Sequence, residues 1–183
     1  AGAPSPPPRR QSPQTAVQHG TFGDSSYAGE AFYHSSDGYR PDSELPQLAL
    51  NLRLKHQVTP NDGIFAQVGY YHAESGDVAP YYDPAMAIRG LSFRETQEPS
   101  LLLGHHHQWS PRMHTIWLAG MVRDRVDLLN PQQNLLRVSR NLNGMIDDAF
   151  PIAARLDYES EQDLYSGEIQ QIWQGPRFSC QAG

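Results

Sequence analysis

Three consecutive imidazoles, His105-His106-His107, are the residues with the most evident chemistry in this chain. In a strand, successive side chains point to opposite faces. His105 and His107 would then share one face, spaced for a common ion, with His106 on the other. Zinc needs a third and usually a fourth protein ligand. His72 and His114, on neighbouring expected strands, are the conceivable partners. No spacing fixes a complete ligand set, and imidazoles equally suit a polar interface or a wet lumen. The expectation is therefore no metal and no cofactor.

Covalent catalysis has no better support. The chain lacks Gly-x-Ser-x-Gly, His-Glu-x-x-His and a phosphate-binding glycine loop. No spacing singles out a nucleophile and its base, so no enzyme is expected. The net charge of −6 argues against a nucleic-acid partner. The single cysteine, Cys180, has no partner for an internal disulfide. No run of about 18 apolar residues is present, which excludes a membrane-spanning helix but not a spanning β-barrel.

The elements that must position these residues read as strands. Leu48, Leu50, Leu52 and Leu54 alternate with Ala49, Asn51, Arg53 and Lys55; after Thr59-Pro60-Asn61-Asp62-Gly63, alternation resumes with Ile64, Ala66, Val68 and Tyr70. A period of two with one apolar and one polar face is the signature of a sheet with different surroundings on its two sides. Seven strands are expected, near 27–35, 46–58, 63–73, 89–109, 112–124 and 161–174, with a last one starting at Arg177. Residues 1–25, with Pro4, Pro6, Pro7, Pro8 and Pro13, read as a Pro-rich disordered linker. The chain stops at Gln181-Ala182-Gly183 near a strand start, so a segment truncated at its C-terminus is expected.

The connections sort into two kinds. Thr59–Gly63, Ser110-Pro111-Arg112 and Gly175-Pro176 are tight, whereas 36–45, 74–88 and 125–160 are long and acidic. In an antiparallel up-and-down meander, alternate connections share one end of the sheet. Short turns at one end and long loops at the other are the pattern of bacterial transmembrane barrels. The polar-face residues Arg53, Lys55, Gln67, Arg94, Glu168 and Gln170 would then line a lumen. Tyr27, Tyr33, Tyr70, Trp109, Tyr165 and Trp173 would sit at the membrane interfaces, the tyrosines toward the loop end and the tryptophans toward the turns.

Leu101–Val122 (LLLGHHHQWSPRMHTIWLAGMV) and Leu156–Gln174 (LDYESEQDLYSGEIQQIWQ) resemble the barrel region of Gram-negative outer-membrane proteins, porin-like or receptor-like, some preceded by tetratricopeptide repeats. The resemblance extends over about residues 27–183. It implies an all-β barrel segment over 26–183, located in the bacterial outer membrane and involved in transport or passive diffusion. Its implied partners are outer-membrane lipid, the remaining strands of the same protein and small solutes. The alternative expectation is a soluble all-β interaction or carbohydrate-binding domain. In it, Leu48, Leu52, Ile116 and Leu118 would face a second sheet, exposed Trp and Tyr would stack on sugars, and acidic loops could hold calcium.

Overall fold

The computed structural model describes residues 12–38, 42–77, 83, 85 and 87–183. Among them the protein is all-β, a single antiparallel meander. In chain order the strands are β1 (Gln14–Phe22), β2 (Ser25–His34), β3 (Gln47–Thr59), β4 (Asp62–Ser75), β5 (Ser92–Ser110), β6 (Met113–Arg140), β7 (Ile146–Gln174) and β8 (Ser179–Ala182). Each strand pairs with its sequence neighbours, and the sheet is open, with β1 and β8 as its outermost strands.

Two expectations on strand placement are corrected. Residues 14–22, assigned to the linker, form β1 and pair with β2 from Gln14–Tyr33 to Phe22–Ser25. Its periodicity is weak, because its two strongly apolar residues, Val17 and Phe22, fall on opposite faces of the alternation. The remainder of that linker up to residue 11 lies outside the described residues. The segment 125–160, expected as a long loop, is mostly strand. β6 and β7 pair from Met113–Trp173 to Arg140–Ile146, with register shifts between Asn130 and Gln133 and between Ser139 and Arg140, and are closed by residues 141–145. Asp127, Asp147, Asp148 and Asp157 therefore sit on strands.

Turn chemistry fixes the register at one end. Gly23, at φ 54°, takes the left-handed backbone that the two-residue link between β1 and β2 requires. In the next turn the Thr59 hydroxyl donates to Asp62 Oδ2 at 2.5 Å and accepts from the Asn61 N–H at 3.2 Å. These links, with 111–112 and 175–178, all lie at one end. At the other end, the Gly90 N–H donates to Asp42 Oδ2 at 3.1 Å, tying two longer connections together.

The core is nearly absent. Ala73 is the one buried hydrophobic residue among those described, at 4% exposure. A sheet of this size with no second layer leaves large apolar side chains uncovered, and that frames the reading of its two faces.

Candidate functional site: the two faces of the sheet

Residues directly opposite across antiparallel strands share a face, so the register assigns every side chain. One face carries Leu50, Leu52 and Leu54 of β3, Ile64, Val68 and Tyr70 of β4, Leu101 and Leu103 of β5, Trp117 and Met121 of β6, and Tyr165 and Ile169 of β7. The other carries Glu30, Asn51, Arg53, Lys55, Gln67, Gln97, Asp124, Glu168 and Gln170. It also carries an apolar strip, Leu102, Ile116 and Leu118, on β5 and β6.

Exposure runs opposite to what water would select. On β3 to β6 the apolar Leu52, Leu54, Val68, Leu103 and Trp117 are exposed, whereas the polar Asn51, Arg53 and Gln67 are half-buried. A soluble protein exposes apolar residues singly, not as a continuous face. With no second layer, lower exposure on the polar side means the sheet bends toward it. Glycines allow the bend: a Cβ on Gly104 would meet Leu118 Cδ2 at 2.8 Å, and one on Gly120 would meet Leu102 Cδ1 at 3.5 Å. The neighbouring leucines lie across the space that side chains there would occupy.

The six expected interface aromatics fall on the apolar face. Tyr33, Tyr70 and Tyr165 mark its margin toward the longer connections. Tyr27, Trp117 and Trp173 mark the margin toward the tight turns. Trp109 joins them, with its Nε1–H donating to Thr115 Oγ1 at 2.8 Å. Along the pairing the loop-side margin moves four residues toward the turns from Tyr33 to Tyr165, and the turn-side margin six from Tyr27 to Trp173, so the apolar band runs obliquely to the hydrogen-bond rows. Tyr27 corrects the expectation that placed it at the loop end. Because β1 makes residues 23–24 a tight turn, β2 starts, rather than ends, near that rim.

Five of the six residues expected on the polar face share it: Arg53, Lys55, Gln67, Glu168 and Gln170. Arg53 Nη2 donates to Glu30 Oε2 at 3.0 Å, a partner the sequence reading passed over. Arg94 lies on the other face. The register shift between Gln97 and Ser100 changes the parity of β5, and Arg94 turns to Glu74, its Nε donating to Oε1 at 2.8 Å. Above the apolar band this face becomes a charge lattice. Arg123 Nε donates to Asp163 Oδ1 at 2.7 Å, and Arg125 Nη2 to Glu161 Oε2 at 3.2 Å. The Asp163 carboxylate raises the Arg123 pKa, and Arg123 lowers that of Asp163.

The histidines divide as alternation requires. His105 and His107 share the apolar face at its turn-side rim, where both rings donate to Asp62 Oδ1, at 3.2 and 2.6 Å. The Thr59 hydroxyl first, and the His107 ring next, hold the Asp62 carboxyl down at about 2. His106 points to the opposite face and stacks on His114 at 5.2 Å. His72 sits at the far end of β4 and bonds Thr96 at 2.9 Å. So neither His72 nor His114 joins His105 and His107, and no group of three or more metal-ligating side chains among the described residues is arranged to hold an ion. Leu48 and Leu52 lie on one face and Ile116 and Leu118 on the other, so no second sheet could cover all four from one side.

No family model, curated protein or solved structure matches this chain.

Proposed function

We propose that this sheet is part of the wall of a bacterial outer-membrane β-barrel that transports small solutes or lets them diffuse passively. In this reading outer-membrane lipid covers the Leu50–Leu54 face and water fills the space on the Arg53 side. The observation that carries it is the inversion of exposure and polarity on β3 to β6: Leu50, Leu52, Leu54, Val68, Leu101, Leu103 and Trp117 are exposed, whereas Asn51, Arg53, Gln67 and Gln97 on the other face are half-buried. In water that arrangement is unfavourable by about 25 cal/mol for each Å² of apolar surface left wet; in hydrocarbon the sign reverses. The oblique apolar band agrees, because barrel strands tilt by about 35–45° and a level slab cuts across their rows. From Tyr165 to Trp173 the band spans about nine residues of β7, the length a tilted strand needs to cross. The free edges of β1 and β7 would be paired by the remaining strands of the same protein, since unpaired backbone in lipid costs several kcal/mol per group.

All three tryptophans of the chain stand on the apolar face, which makes the test direct. The full chain, isolated from membranes, should show heat-modifiable gel migration and strong quenching of tryptophan emission by brominated lipids. Recovery in the soluble fraction with no quenching would overturn the reading.

A further inference from the structure

The polar face holds a hollow of about 340 Å³ between β1 and β5 whose chemistry narrows the solute class. Its floor is small: Ala49, Gly69 and Ser100 lie where neighbouring rows carry long side chains. Two aromatic rings flank it. Phe32 and Tyr71 stand opposite Ala49 on its two neighbouring strands, so about 10 Å separates their backbones at about 4.8 Å per strand. The rest of the wall mixes Val17, Ala31 and Leu50 with Thr15, Tyr70 and three side-chain amides. Asn51, Gln67 and Gln97 point to this side, and Asn51 Oδ1 is buried with no hydrogen-bond partner. The carboxylate that reaches the hollow, Glu30, is bonded by Arg53 at 3.0 Å, so the two charges cancel.

Amide groups, a compensated ion pair and aromatic walls describe a site for a molecule with many hydroxyls, apolar ring faces and no net charge. We infer that this hollow binds a neutral sugar ring, with sugar hydroxyls donating to Asn51 Oδ1 and bonding Gln67 and Gln97, and the ring lying between Phe32 and Tyr71. A buried acceptor without a donor is costly, and a sugar O–H supplies the missing donor. An anion would face the Glu30 carboxylate, and Arg53 already neutralises that carboxylate toward a cation. The inference rests on the proposed function, because it makes the polar face a solute pathway and names what the pathway recognises.

Maltose is a suitable neutral probe and sodium gluconate an anionic one, titrated calorimetrically into the detergent-solubilised full chain and added to channels in planar bilayers. Saturable maltose binding, weakened about tenfold or more in Gly69→Val and in Asn51→Leu, is the expected result. Gly69→Val fills the floor from a position where an added Cβ meets Ser100 Cβ at 3.4 Å, and the circular-dichroism spectrum of the variant checks that the sheet is kept. Absence of maltose binding, equal binding by both variants, or preference for gluconate overturns the inference. Ion conductance separates the two claims. Conductance without maltose binding leaves the pore reading standing and removes the sugar site. Maltose binding without conductance does the reverse.

Discussion

Asp62 is a single carboxylate that closes two elements at once, receiving Thr59 from its own turn and His105 and His107 from β5. Its folded pKa, about 2, lies below the unfolded value of 3.8. A depressed carboxylate stabilises the fold fully above its unfolded pKa and loses that contribution as pH falls through the folded one. The wild type should therefore lose turn-end stability between about pH 4 and pH 2. Asp62→Asn should be less stable at pH 7 but show no corresponding loss in that window, as read by urea unfolding in detergent. Gly104 makes a second residue-scale case. In Gly104→Ala the new methyl meets Leu118 Cδ2 at 2.8 Å. Overpacking of this kind costs about 1–3 kcal/mol. Leu118→Ala in the same chain should recover most of it, which a double-mutant cycle measures.

At the scale of the element, the β6–β7 hairpin differs from the other pairs. β5 pairs with β6 only as far as Leu129, so residues beyond it form a two-stranded ribbon projecting from the sheet. An isolated hairpin is marginal in water. Its exposed Leu136 and Ile146 find no layer to pack on. Limited proteolysis of the intact chain should cut first within 141–145. Replacing residues 131–155 by Asn-Gly should leave heat-modifiable migration unchanged. The ion pairs at the base of the ribbon are half exposed, and exposed pairs contribute little to stability. Arg123→Ala should accordingly shift it only slightly, and high salt should erase the difference.

At the scale of the whole molecule, the described residues bury almost no core, so in the proposed reading stability comes from the lipid that covers the apolar face. Leu52→Arg, at the centre of that face, should lower barrel stability by about 2–4 kcal/mol in lipid. Gln170→Arg, on the polar side, should change it little, and refolding yield into vesicles compares the two. Much of this was legible in sequence. Leucines every second residue from Leu48 to Leu54, and the Pro-Asn-Asp-Gly turn after them, fix one hairpin outright. The six aromatics were legible as one set, because aromatic side chains at strand ends stand out against polar alternation. What escaped was where alternation is weak, as in β1, or interrupted, as at the Gln97–Ser100 shift that moved Arg94 across the sheet. The carboxylate partner of Arg53, Glu30, and the hollow above Gly69 were also hidden, because both depend on residues far apart in the chain.

Local alternation by itself determined that this chain makes strands, which side chains share a face within each strand, and where the tight turns fall. These follow from the two-residue repeat of an extended backbone, which needs no neighbours. Only the tertiary pairing decided which face of one strand continues as which face of the next, because a bulge or a one-residue slip inverts a whole strand. That pairing set Arg53 beside Glu30, His106 against His114 and both His105 and His107 on Asp62, and gathered the exposed leucines, tryptophans and tyrosines onto one side.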